Sequence, residues 1–331
     1  MESRSTQASK KYQLDCQYLN SCFSGNDPNN IITKQKLVEL LITRSQQELK
    51  LIRQTYITLY NKDLLHVLSG IRKNDAFANL VHLRLSEPQD RDADIVRDAL
   101  FGGRVNLNAV IEVVCTRSSS ELHSVKQAYR FRYNSDVEQD ITLKAEGGFK
   151  EILLAVLKSS RKYGSKVDRS MAMCDAKTLY EAMESGIFVD WKAVISLMSE
   201  RNTGQLKAIL ISYKELYGQE FSKFLKCNKC GKFGKELRVV VRGMQYPERF
   251  LAKQLNRARQ NSNAREVVSR IIISRLEVDI KNISNVFAAK TGWSLGNLVR
   301  REFNTSGSGN SHASKANALL AEFLLGLLKR C

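Results

Sequence analysis

Proline is nearly absent from the chain, with three residues in 331, at positions 28, 88 and 247. Proline breaks a helix interior, so this scarcity suits a nearly all-helical chain. Long apolar runs are absent as well. The most apolar stretch, residues 316–328, is too short to span a bilayer and contains Glu322, which makes it a buried terminal helix. The seven cysteines are an odd, scattered count with no apolar leader before them, the pattern of reduced thiols in a cytosolic protein. The four histidines, His66, His82, His123 and His312, lie far apart, and no Ser-His-Asp or paired-carboxylate constellation stands out. The chain is therefore not expected to be an enzyme. Acidic residues are also in short supply: 34 against 52 Lys and Arg, for a net charge of +18. Such a balance favours an anionic partner, either nucleic acid or a membrane carrying acidic lipid. No stripe alternates aromatic and basic residues as single-stranded bases would require, which counts against nucleic acid.

Two short motifs remain ambiguous. Cys227-Asn228-Lys229-Cys230 has the spacing of half a zinc knuckle. A structural zinc needs four ligands and no second pair follows, so no zinc is expected. A redox-active pair and a loop with incidental thiols both stay open. Gly231-Lys232-Phe233-Gly234-Lys235 is rich in glycine and lysine, but it lacks the spacing and the preceding strand of a phosphate-binding loop.

What the chain does have is a four-fold pattern. Before Arg117 stand Val110, Val113 and Val114; after it stand Leu122, Val125, Tyr129, Val137 and Ile141. The gaps of three and four are those of one helix face. The same offsets from Arg44 give Leu37, Leu40, Leu41, Leu49, Ile52, Tyr56, Leu64 and Leu68. From Arg201 they give Val194, Leu197, Met198, Leu206, Ile209, Tyr213, Phe221 and Leu225. From Arg275 they give Val268, Ile271, Ile272, Ile280, Ile283, Phe287, Leu295 and Val299. All 32 positions are apolar or aromatic in a chain that is 43% so. The origins are 73, 84 and 74 residues apart, so the chain reads as four units stacked around shared cores. Each arginine is expected to be structural, capping helix carbonyls and pairing with an acid. Thr43-Arg44-Ser45 and Thr116-Arg117-Ser118 each place a capping hydroxyl before a long helix that ends near Tyr60 or Tyr133.

The expected organisation is a flexible tail (1–11), repeat one (12–85), repeat two (86–160), a link (161–175), repeat three (176–245) and repeat four (246–331). The link takes up the longer second spacing and would divide the chain into two halves. Each repeat holds about five helices, and the fold class is all-α.

Four units of this size, the arginine-centred register, and Glu146-Gly147-Gly148-Phe149 ahead of a leucine-rich helix resemble the annexins. The short tail is like that of plant-type annexins. The resemblance implies a curved all-α disc. It further implies loops, between first and second and between fourth and fifth helices, that bind calcium and bridge it to phospholipid head groups. The family motif is Gly-any-Gly-Thr in the first loop with an acid in the second. Calcium takes roughly six to eight oxygen ligands, and glycines let carbonyls turn inward while a carboxylate completes the shell.

Here those loops are incomplete. Repeat two reads Gly102-Gly103-Arg104-Val105, and its acid position falls near Ala145, with Glu146 adjacent. Repeat one has Ser24-Gly25-Asn26-Asp27 opposite Ile71-Arg72-Lys73, repeat three has Gly186-Ile187-Phe188-Val189 opposite residues 226–232, and repeat four has Gln260-Asn261-Ser262-Asn263 with no glycine. In their place stand Arg72, Lys73, Arg104, Lys144, Lys226, Lys229, Lys232 and Arg259, against Asp27, Asp75, Glu146 and Asp190. Basic residues near an anionic leaflet contribute about 1 kcal/mol each. Ile187, Phe188 and Trp191 are candidates for membrane insertion or, alternatively, for the start of a buried helix. The expected function is a cytoplasmic, peripherally membrane-associated protein that binds acidic phospholipid with calcium dependence weak or lost. The alternative is a calcium-independent scaffold, or a module for RNA or another acidic polymer, on the same fold.

Overall fold

The computed structural model describes residues 11–24, 31–159, 166–184, 188–303 and 312–330. Among them are twenty α-helices and no strand. The first repeat contains α1 (Gln13–Ser24), α2 (Ile31–Thr43), α3 (Gln46–Tyr60), α4 (Leu64–Ile71) and α5 (Ala76–Leu85). The second contains α6 (Pro88–Phe101), α7 (Leu107–Val114), α8 (Ser119–Tyr133), α9 (Val137–Lys144) and α10 (Gly147–Ser159). The third contains α11 (Arg169–Glu184), α12 (Trp191–Glu200), α13 (Thr203–Tyr217), the one-turn α14 (Phe221–Phe224) and α15 (Gly231–Gln245). The fourth contains α16 (Pro247–Ala258), α17 (Ala264–Arg275), α18 (Ile280–Thr291), α19 (Leu295–Phe303) and α20 (His312–Arg330). Five helices per repeat is the number the sequence predicts.

All 32 register positions are buried, none more than 7% exposed. One apolar face per helix therefore supplies each core, and the burial of a side chain of this size contributes about 1.5–3 kcal/mol. The third helix of every repeat then stops in the same way. Asn61, Asn134, Gly218 and Gly292, each 17 residues beyond its arginine, adopt left-handed backbone and donate N–H to the carbonyl four residues back. Asparagine and glycine are the residues that tolerate this conformation. At the start of α3 and α8 the predicted hydroxyls do cap. Ser45 with Glu48, and Ser118 with Glu121, form reciprocal capping boxes.

The four arginines are held by aspartates. Arg44 donates to Asp15 at 2.9 and 3.2 Å, Arg117 to Asp92 at 2.5 and 3.0 Å, and Arg201 to Asp175 at 2.7 and 3.0 Å. In these repeats the pair ties the end of the second helix to the first helix. The hydrogen bonds to Asp15 and Asp175 raise Arg44 and Arg201 above the ordinary guanidinium value. Arg275 instead donates to Asp279, four residues on, at 2.7 and 2.6 Å.

The link between repeats two and three differs from the expected 161–175. Residues 160–165 lie outside the described residues, and α11 begins at Arg169, inside the expected link. The polar composition of this stretch hides a helix start. Asp168 accepts the Met171 N–H at 3.0 Å, and its backbone exchanges two hydrogen bonds with the Gln205 side chain, at 2.9 and 2.8 Å. Nor do the halves divide there. One compact unit comprises residues 1–88 and 252–331, and the other residues 89–251. The first repeat is thus grouped with the fourth, and the second with the third. In the first unit α20 packs on α2 and α17 on α5; in the second α10 lies against α12 and α15.

Candidate functional site

The loops of the 89–251 unit meet one another through identifiable contacts. Phe101 ends α6, and its ring carries the Arg97 guanidinium at 3.9 Å and the Lys144 ammonium at 4.7 Å. Lys144 ends α9, so this ring joins the α6–α7 loop to the α9–α10 loop. Cation–ring contacts of this kind contribute about 0.5–1 kcal/mol at exposed sites. The α9–α10 loop in turn abuts the start of α15. A Cβ at Gly148 would lie 2.5 Å from the Glu236 carboxylate and 2.6 Å from the Phe233 ring, so only glycine permits the approach. Phe233 packs on Trp191 with ring centroids 4.7 Å apart, which brings in the α11–α12 loop. Finally, Lys229 pairs with Glu184 at the end of α11, at 3.6 Å, and lies 5.3 Å from the Phe224 ring. Four loops are therefore continuous.

Arg104, Lys226, Lys229 and Lys232 are exposed on these loops, Lys144 is half-buried, and Glu146 is exposed. Lys232 lies 3.9 Å from Glu236. Gly102 and Gly103 turn the α6–α7 loop. The Gly102 N–H reaches the Asp98 carbonyl at 2.8 Å, Gly103 has φ +114°, and Asn106 caps α7 through the Ala109 N–H at 3.3 Å. Phe188 is 82% exposed, whereas Trp191 is half-buried against Phe233. Trp191 thus occupies the helix-start packing position, and Phe188 alone of the two projects from the loop. Ile187, with Gly186, lies outside the described residues, as does the first-repeat loop at 25–30. Asp190 is engaged in capping α12 through the Ala193 N–H at 3.0 Å.

The remaining candidates belong to the other unit. Lys73 is exposed and Arg72 half-buried at the end of α4, where Asp75 caps α5 through the N–H groups of Phe77 and Ala78. Arg259 is half-buried, stacked 4.5 Å from the Trp293 ring and bonded to Asn256 at 3.3 Å.

Two residues of the site escaped the sequence reading. Leu143 is 71% exposed beside Lys144. The available signal was its position off the buried face that Val137 and Ile141 define. Phe101 carried no such signal, because its role comes from two cations that only the fold brings together. The thiols of Cys227 and Cys230 lie 2.8 Å apart within the loop before α15. Among the described residues there is no group of three or more His, Cys, Asp or Glu side chains placed to hold a metal, and no helix is long and apolar enough to cross a membrane.

The annexin family model matches residues 17–82, 91–156 and 174–240. Annexin Gh1 of Gossypium hirsutum is 31% identical over 289 residues, 87% of this chain and 90% of that protein. Annexin D7 of Arabidopsis thaliana is 28% identical over 289 residues, with the same coverage. Among solved structures, annexin III superposes with a TM-score of 0.77 at 26% identity, covering 95% of this chain and 93% of that one.

Proposed function

The chain belongs to the annexin family, and from that premise we propose that it binds acidic phospholipid surfaces peripherally, with fixed basic charge doing most of what bridging calcium does in relatives. Annexins are generally calcium-dependent phospholipid-binding proteins. The observation that carries the proposal is the continuous loop set of residues 89–251, which exposes Arg104, Lys226, Lys229 and Lys232 together with Phe188.

The calcium donor set is a poor fit. Carbonyls of the Gly102–Val105 turn and the Glu146 carboxylate are the oxygens that repeat two offers at the family positions, with Arg104 and Lys144 beside them. One carboxylate against two cations disfavours a divalent ion. Attraction by exposed lysines and arginines needs no ion, and is screened over about 8 Å at physiological salt. Phe188 adds an apolar anchor whose full burial is worth about 1.5–3 kcal/mol.

Vesicle sedimentation tests this. Binding to phosphatidylserine vesicles should persist in chelator, change little on adding calcium, and fall steeply towards about 0.5 M salt as screening grows. Phosphatidylcholine vesicles should bind poorly. At about 1 kcal/mol per basic residue, Arg104→Glu, Lys226→Glu and Lys232→Glu together should weaken binding by about a hundred-fold or more. Binding that requires calcium and survives the triple reversal overturns the proposal. So does salt-sensitive binding to RNA with none to acidic vesicles.

A further inference from the structure

Cys227 precedes and Cys230 ends the 3-10 turn Asn228–Cys230, between α14 and α15. The Cys230 N–H donates to the Cys227 carbonyl at 3.1 Å, closing a four-residue turn. Such a turn holds its end Cα atoms within about 7 Å, a separation that a disulfide can bridge. The two sulfurs are already 2.8 Å apart, so the bond forms with almost no backbone movement. The thiols differ in access. Cys227 is half-buried, whereas Cys230 is 2% exposed and seated against α15, where a Cβ at Gly234 would come within 2.4 Å of the Cys230 Cβ. The glycine thus makes room for the inner thiol. Burial first, and then the hydrogen bond with Cys227, push the Cys230 thiol up to about 12.

We propose that Cys227 and Cys230 form a thiol–disulfide exchange site, with Cys227 as the attacking and Cys230 as the resolving thiol, that accepts small disulfides such as oxidised glutathione. The Cys227 thiolate attacks one sulfur of the small disulfide, forming a mixed disulfide and expelling one thiolate. The Cys230 thiol then loses its proton and attacks the Cys227 Sγ, expelling the second thiolate. Two protein thiols are oxidised to one disulfide, and one small disulfide is reduced to two thiols. This reading stands apart from membrane binding. The other described cysteines do not compete for it: Cys16, Cys22 and Cys115 are buried, and Cys174 is an exposed free thiol.

The test uses the full chain carrying Cys174→Ser and Cys331→Ser, treated with oxidised glutathione under native conditions and then denatured and alkylated. Intact mass should show the loss of two hydrogens and two alkylation sites. A peptide map should place the bond between Cys227 and Cys230, and dithiothreitol should reverse it. Cys230→Ser should keep one glutathionyl group on Cys227. Cys227→Ser should leave Cys230 at least ten-fold slower to react. A stable glutathionyl adduct on Cys227 beside a free Cys230 overturns the proposal, as does first reaction at Cys230 or no reaction at either thiol.

Discussion

In the first three repeats the signature arginine closes the second helix and reaches back to an aspartate on the first helix. In the fourth, Arg275 turns forward to Asp279 in its own connection. The sequence explains the switch. Ser45, Ser118 and Asn202 follow their arginines directly and cap the next helix. Arg275 is followed by Leu276, which cannot cap, so α18 starts three residues later in the repeat, at Ile280. The connection so lengthened supplies Glu277, 3.5 Å from Arg84, whose guanidinium also holds the Leu41 and Arg44 carbonyls. All eight apolar positions of the repeat are nonetheless buried, and the left-handed cap at Gly292 is retained. The apolar register therefore defines the repeat, and the polar tie is a replaceable part. The segments matched by the family model fall within the first three repeats.

The contrast can be broken at the ties themselves, and this is where the largest effects belong. Removing one partner of a buried ion pair costs about 3–5 kcal/mol because the other charge is left stranded. Asp92→Asn should approach that range, since the Arg117 and Asp92 side chains are 7% and 3% exposed. Asp279→Asn should cost less, about 2–3 kcal/mol, as the Asp279 side chain keeps 16% of its surface in water. Asp15→Asn should cost least, about 1 kcal/mol, because water reaches Arg44 at 30% exposure. Denaturant titration of the three variants ranks them. A loss at Asp15 equal to that at Asp92 would show that topology, not burial, sets the cost.

A smaller effect is expected at the left-handed caps, where all four repeats agree. Asn134→Ala forces an alanine into φ +49° and should cost about 1–2 kcal/mol, while Asn134→Gly should be neutral or stabilising. Equal losses for the two substitutions would show that the asparagine side chain, not the backbone, is what matters. The smallest effect belongs to the N-caps. Ser118→Ala should lose about 1 kcal/mol, and Asn202→Ser, which preserves a cap, a few tenths. A larger loss at Asn202→Ser would mean that the shorter side chain fails to keep the cap on the Gln205 N–H.

Most of the fold was legible because burial imposes a period on sequence. Residues such as Val113 and Tyr129 announce a helix face without any knowledge of what they touch. The hydroxyl after Arg44 and Arg117 was readable for the same reason, since capping is local. The aspartate partners were not, because Asp92 and Asp175 sit 25 and 26 residues before their arginines with nothing periodic to mark them. The candidate loops were found through family positions, but their continuity was invisible: it depends on Phe101 meeting Lys144 within repeat two and on Gly148 meeting Phe233 across repeats two and three. Arg259 was legible as a charge, not as a side chain stacked on Trp293.

The grouping of residues 1–88 with 252–331 also fixes an order of events during synthesis. The 89–251 body is contiguous, so all its contacts are within reach once its last helix has left the ribosome, and domains generally fold as such units. The body of residues 1–88 and 252–331 has to wait. α2, made early, has its surface covered by α20, and Arg330 hydrogen-bonds the Ile42 and Arg44 carbonyls at 2.9 and 2.6 Å. Arg84 already holds the Arg44 carbonyl, but the Ile42 carbonyl has to be held by water or by a chaperone until α20 emerges. A nascent chain stalled before His312 presents one finished body and one open one, so proteolysis of stalled chains should spare residues 89–251 and clip the first repeat.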